Sequence, residues 1–260
     1  MSFKVLLVYP NYRGMNMLPP AMGLLSAVLK KQGVDVRLFD TTYYENLDGR
    51  TSDSDHSKTD RLMARPYEMP KQVTLRKTNC FDDFEKEVKD FNPDLIALSA
   101  TEDMFKLGIK LLKRVRNLNV LSVVGGVFAT FSPDLALSYP EIDIVCRGEG
   151  EESIAILCDR LAKCQDYTDI PNLWIKRNDG SLIENKLKLV DINKNPLIDL
   201  SIFEEARFYR PMGGKVYKMF PVETVRGCPY TCTYCNSPVQ IEMYKKEICK
   251  PFFRIKKIDK

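Results

Sequence analysis

Apolar and polar positions follow two periods along the first two-thirds of the chain. Residues 4–9 (Lys-Val-Leu-Leu-Val-Tyr) form a continuous apolar run, the pattern of a strand buried on both faces. Pro19 and Pro20 then open a helix in which Ala21, Leu24, Leu25, Val28 and Leu29 recur at helical spacing, and Gly33 ends it. Further strands are predicted over residues 34–39, 94–99, 120–124 and 142–146. An amphipathic helix is predicted over 81–91. A second runs over about 103–116, with Phe105, Ile109, Leu112 and Val115 on one side. A last helix begins near Glu151, with Ile154, Leu157, Cys158 and Leu161 in register.

Strands that alternate with helices imply a parallel sheet covered on both faces. Five strands in this rhythm fit an α/β flavodoxin-like (Rossmann-like) sheet of order 2-1-3-4-5, whose ligands bind at the carboxyl ends of the strands. Residues 41–80 are long for a connection between strands, and read either as an insertion or, over about 46–62, as disorder. The pattern changes over residues 165–218. Two short apolar segments flank Asn178-Asp179-Gly180-Ser181, a hairpin signal, and Pro196, Pro211 and Gly213-Gly214 interrupt regular structure. Residues 219–225 then read as the first strand of a new domain. The expected division is a sheet domain over 1–165, a β-containing linker over 166–218, and the start of another domain over 219–260.

Composition narrows the function without naming it. The chain has 260 residues, 44% hydrophobic and 28% charged, with a net charge of +4. These are ordinary values for a globular protein. No basic stripe with interleaved aromatics points to nucleic acid. Residues 1–10 lack the pattern of a signal peptide, and no stretch approaches the length of a membrane span. A cytoplasmic location is expected, where thiols stay reduced. Of the eight cysteines, Cys146 and Cys158 fall in apolar patterns and are expected to pack as small hydrophobes.

Two sets of residues carry chemistry. The first lies at strand ends: Ser99-Ala100-Thr101 after strand three, Gly125-Gly126 after strand four, and Arg147-Gly148-Glu149-Gly150-Glu151 after strand five. Glycine lets a ligand approach the backbone, and hydroxyls with free amides at helix starts suit phosphate and amide groups. The second is the run Arg226-Gly227-Cys228-Pro229-Tyr230-Thr231-Cys232-Thr233-Tyr234-Cys235, a C-x₃-C-x₂-C spacing. Three thiolates this close can hold three irons of a [4Fe–4S] cube and leave the fourth iron open. Electron carriers and structural zinc sites usually use four ligands. The fourth candidate here is Cys249, fourteen positions after Cys235, so a four-cysteine zinc knuckle is the alternative.

The cysteine run resembles the signature of radical S-adenosylmethionine (SAM) enzymes. The flanking Arg226-Gly227-Cys228-Pro229 and Asn236-Ser237-Pro238 are similar to the subgroup that carries a cobalamin-binding domain in front. The strand-end set likewise resembles cobalamin-binding domains. The resemblance implies Cys228, Cys232 and Cys235 as cluster ligands and Tyr234 against the adenine of SAM. It implies cobalamin held by Ser99, Ala100, Thr101, Gly125, Gly126, Gly148, Glu149 and Gly150, with residues 41–80 covering the corrin or shaping the substrate pocket. The expected cofactors are cobalamin, a [4Fe–4S] cluster and SAM. The expected partners are a small-molecule substrate and an electron donor such as a flavodoxin or ferredoxin. Methyl transfer to an unactivated carbon is the expected outcome, with ring formation or rearrangement second. A non-catalytic cobalamin-binding module is the reading outside enzymology.

Two features depart from the family pattern. Twenty-five residues follow Cys235, whereas even a partial βα-barrel needs roughly 150–200. The sequence is therefore expected to be the front part of a longer protein, or to be completed by a second polypeptide. Many cobalamin domains also carry Asp-x-His-x-x-Gly after strand one, whose histidine ligates cobalt. Here the loop is Pro10-Asn11-Tyr12-Arg13-Gly14-Met15-Asn16, and the only histidine is His56, in a polar stretch. EPR of a bound cob(II)alamin should accordingly lack superhyperfine splitting from a protein imidazole; observing that splitting overturns the expectation.

Overall fold

The computed structural model describes residues 2–13, 17–47, 65, 67–177 and 179–257. Gly14–16 of the first loop, residues 48–64 with His56, and Asn178 of the hairpin signal lie outside the described residues.

Five parallel strands form the expected sheet. They are β1 (Lys4–Tyr9), β2 (Asp35–Asp40), β3 (Leu95–Ser99), β4 (Leu121–Gly125) and β5 (Ile144–Cys146), in the order 2-1-3-4-5. Helices α1 (Pro20–Lys31), α2 (Cys80–Phe91) and α3 (Glu102–Val115) follow β1, β2 and β3. Two short helices absent from the sequence expectations, α4 (Val127–Phe131) and α5 (Pro133–Leu137), follow β4, and α6 (Glu151–Ala162) follows β5. Each boundary has a local cause. Asn79 accepts hydrogen bonds from the amides of Phe81 (2.9 Å) and Asp82 (3.3 Å) at the start of α2. Asn92 ends the same helix in the left-handed conformation.

The hairpin at 173–184 does not stand apart as a linker. Strand β6 (Leu173–Lys176) pairs antiparallel with β5, and β7 (Leu182–Glu184) pairs with β6, so the sheet has seven strands. The reason is burial: Leu173 and Ile175 continue the apolar face begun by Ile144 and Cys146. A second hairpin follows, β8 (Tyr209–Met212) with β9 (Lys215–Lys218).

The two faces of the sheet carry separate cores. Leu6, Val8, Ile96, Leu98, Val124 and Val145 face α2 and α3, where Phe84, Phe91, Phe105 and Leu111 fill the layer. Their alternate neighbours Val5, Leu7, Leu95, Ala97, Val123 and Ile144 face α1 and α6, which pack side by side. The connecting segment wraps back over this second layer. Gly23 on α1 accepts the amide of Asp199 at 3.0 Å, and a side chain there would run into Ile198. Arg207 is fully buried across the ends of β1 and β2, 3.0 Å from the Asp40 carboxylate and donating to the Met17 carbonyl at 2.8 Å.

The expected strand over 219–225 is reduced to β10 (Val225–Arg226). Pro221 interrupts the segment and supplies no amide donor. The cysteine run follows β10 directly, then α7 (Ser237–Ile248), and β11 (Arg254–Ile255) returns to pair antiparallel with β10. Among the described residues, no helix is long and apolar enough to cross a membrane.

Asp199 gives the wrap a pH signature. Burial opposes its charge, but hydrogen bonds from Lys30, Ser201 and Ser26 outweigh this and lower its pKa to about 2. A lowered folded-state value stabilises the protein above the unfolded carboxylate range, near pH 4, and the contribution is lost as pH falls toward about 2. Urea midpoints should drop over that window in the wild type and change less in Asp199→Asn.

Candidate functional site

The carboxyl ends of β3, β4 and β5 are hollow on one side only. On the face toward α1 and α6, β3 presents Ala97 and Ser99, β4 presents Val123 and Gly125, and β5 presents Cys146. On the opposite face the alternate positions are Leu98, Val124 and Val145, which pack solidly. The small floor leaves a cavity of about 480 Å³ between the sheet, the first turns of α1 (Pro20–Leu25) and the first turns of α6 (Ile154, Leu157). Its mouth is bordered by Gly126, Gly148, Glu149, Gly150 and Glu151, and by residues 221–223 with Val225 and Arg226. This volume lies within the range of small-molecule sites.

Six of the eight strand-end residues singled out in the sequence therefore border one cleft: Ser99, Gly125, Gly126, Gly148, Glu149 and Gly150. Ala100 and Thr101 do not. Ala100 is buried in the opposite core, where its carbonyl accepts the amide of Phe128 at 3.4 Å. Thr101 is exposed at the start of α3. The floor residues Ala97, Val123 and Cys146 were not anticipated. Small side chains at alternate positions of neighbouring strands were the available signal.

Two of the glycines answer to the protein itself. Gly126 has φ +96°, and a Cβ there would lie 2.6 Å from the Ala100 carbonyl. Gly148 has φ +70°, and a Cβ there would lie 1.9 Å from the Tyr244 hydroxyl. Gly125 and Gly150 are left to open the cleft; among the described residues, a Cβ at either would meet Cys146, at 3.7 Å and 3.3 Å. Thr130 joins the two loops: its hydroxyl donates to the Gly126 carbonyl at 2.8 Å and accepts the Gly148 amide at 2.9 Å. Burial and the nearby Glu151 charge push the Cys146 thiol up to about 12, so it lines the cleft as a neutral group.

Glu149, one of the expected strand-end residues, borders the cleft with its carboxylate engaged by the protein itself. It is buried, with Arg226 at 3.2 Å, Arg254 at 3.1 Å and the Val190 amide at 2.8 Å. Its own amide donates to the Tyr244 hydroxyl at 3.2 Å, and its carbonyl accepts Asn172 Nδ2 at 2.7 Å. Arg226 also meets Glu151 at 2.6 Å and Glu223 at 2.8 Å. Burial opposes the Arg226 charge, but the Glu223 hydrogen bonds and the charges of Glu151 and Glu149 prevail and raise its pKa. Tyr244, fully buried, stacks on Phe252 with ring centroids 4.7 Å apart. Strands β10 and β11 and helix α7 are thus fastened over the end of β5.

The fastened segment carries the cysteines beside the cleft. Cys228, Cys232 and Cys235 are half-buried free thiols. Among the described residues, no three Cys, His, Asp or Glu side chains are gathered as around a metal ion, so neither the three-thiolate set nor the zinc knuckle is preformed. A hydrogen bond to Ser237 and the Ser237 amide, 3.4 Å away, lower the pKa of Cys235 toward the thiolate. Tyr234 is 90% exposed. Cys249 is exposed, in the left-handed conformation after α7.

The B12 binding domain family matches residues 69–157, from the approach to α2 through the middle of α6. An uncharacterized methyltransferase of Pyrococcus horikoshii is 31% identical over 167 residues, covering 62% of this chain and 35% of that protein. The cobalamin-dependent radical SAM methyltransferase TokK of Streptomyces tokunonensis is 32% identical over 153 residues, covering 55% of this chain and 22% of that protein. The structure of OxsB, a cobalamin-dependent SAM radical enzyme with aqua-cobalamin and SAM bound, superposes with a TM-score of 0.62 at 23% identity, over 90% of this chain and 28% of that one. The chain spans about a third or less of the length of these relatives. The matched residues include every strand-end residue of the cleft, so the protein carries a B12 binding domain. More particularly, it resembles the cobalamin-dependent radical SAM methyltransferases.

Removing one partner from a buried ion pair typically costs about 3–5 kcal/mol. Glu149→Ala should therefore speed amide exchange in α7 and β11 by orders of magnitude while β1 and β3 keep their protection. Unchanged exchange in α7 would show that Glu149 does not hold the segment.

Proposed function

We propose that this chain is the cobalamin-holding and cluster-bearing part of a cytoplasmic radical SAM enzyme that transfers a methyl group to an unactivated carbon. The observation that carries the proposal is the juxtaposition of the cleft and the cysteine loop. Arg226 borders the cleft and stands two residues before Cys228.

The fit to each cofactor differs. The small floor and Gly125 and Gly150 leave room for the nucleotide tail of a corrinoid, and Ser99 supplies a hydroxyl at the mouth. Cys228, Cys232 and Cys235 have the residue type and spacing for a [4Fe–4S] cluster, and all three are free thiols that are half-exposed. Tyr234 is exposed and available to stack on an adenine. When bound, these cofactors supply one-electron chemistry and a methyl carrier; the chain supplies position and electrostatics. The ion pairs of Arg226 and Arg254 hold the cysteine loop beside the cleft. A flavodoxin or ferredoxin would provide the electrons, and a small molecule would be the substrate.

The test is anaerobic reconstitution with iron, sulfide and hydroxocobalamin. Expected results are one cobalamin per chain by absorbance and a reduced [4Fe–4S] EPR signal that shifts on adding SAM. Cys232→Ala should lose the cluster signal and keep cobalamin. Cobalamin uptake without a cluster would favour a non-catalytic module. Stoichiometric zinc that requires Cys249 would favour the knuckle.

A further inference from the structure

The cleft is polar only at its mouth. Glu149, Glu151, Glu223 and Arg226 border it there, and their charges are satisfied by one another and by Arg254. Ser99 is the remaining polar side chain, and it too lies at the strand end. One pleat deeper the walls are Ala97, Val123, Leu25, Ile154, Leu157 and Leu173. The backbone groups of the floor are committed to the β1–β3, β3–β4 and β4–β5 ladders. Among the described residues, the heteroatoms on deep side chains are the sulfurs of Cys146 and Met22, both weak hydrogen-bonding groups. At about 480 Å³ the cavity holds a nucleotide base and sugar but not a macrocycle, so the tail of a corrinoid is what enters.

We infer that the cleft selects corrinoids whose tail ends in an apolar aromatic base, such as a benzimidazole, and rejects those ending in a purine. The inference rests on the corrinoid reading above. A purine amino group and ring nitrogens would leave water without finding partners, whereas a dimethylbenzimidazole ring would bury methyl and ring carbons against Leu157, Ile154 and Val123. Desolvating one unpaired polar group of this kind weakens binding by about tenfold or more. The specificity-determining residues are Val123 and Ala97, because they form the floor beneath the base and each has a near-isosteric polar replacement.

Equilibrium binding of three corrinoids to the full chain, followed by absorbance after rapid filtration, tests this. The probes are cobalamin, the adeninyl analogue that differs only in its base, and cobinamide, which lacks the nucleotide. Cobalamin should bind at least about tenfold more tightly than the adeninyl analogue, and cobinamide more weakly than cobalamin. Val123→Thr and Ala97→Ser add a hydroxyl with little change in volume, and either should narrow the ratio between the two bases. Equal affinity of the wild type for both bases overturns the inference and leaves the corrinoid reading standing. So does a ratio that stays unchanged in both variants when circular dichroism shows them folded. Failure of all three probes to bind removes the corrinoid reading and the inference with it.

Discussion

Glu149 carries its charge into the interior, where an isolated carboxylate would cost several kcal/mol, and two arginines from the far end of the chain come to meet it. Arg226 and Arg254 belong to the paired strands that bracket the cysteine loop and α7. Satisfying one buried carboxylate therefore fixes where the cysteines stand relative to the strand ends. The backbone of the same residue binds Tyr244 on one side and Asn172 on the other, so the β6–β7 hairpin, α7 and the β5 end meet at one point. Gly148 follows as a consequence. The tyrosine hydroxyl occupies the space that any side chain there would need.

The second constraint is an asymmetry between the two faces of the sheet. Toward α2 and α3, alternate positions of β3, β4 and β5 are large and the layer is closed. Toward α1 and α6 the same strands end in alanine, serine, glycine and cysteine, and the layer opens. Larger residues at Ala97 or Gly125 would fill the space and add buried apolar contact. Keeping it empty forgoes stability, which is a common mark of a ligand site. The hollow also lies where ligands of parallel sheets bind, beyond the carboxyl ends of the strands.

These two features act together. The cleft opens toward the segment that the ion pairs hold in place, so its mouth is shaped partly by residues 221–226, from outside the sheet domain. A ligand seated in the cleft would contact both parts of the chain. The three cysteines are not gathered around a common point, while the strands on either side of them are tied to Glu149 by ion pairs.

The sequence by itself determined the five parallel strands, the main helices around them, most of the strand-end residues and the cysteine run. Each of these is written in local terms: period-2 and period-3.6 apolar patterns, glycine punctuation and short motif spacing. Only the tertiary structure decided that the hairpin extends the sheet, that residues 219–224 are not a strand, and that Ala100 and Thr101 turn away from the cleft. The same holds for the role of Glu149. Its partners lie 77 and 105 residues further along the chain, and no local pattern marks a carboxylate as spoken for at that distance. The cleft was hidden for a related reason: small residues on three strands become one floor only when the register brings Ala97 beside Val123 and Ser99 beside Gly125.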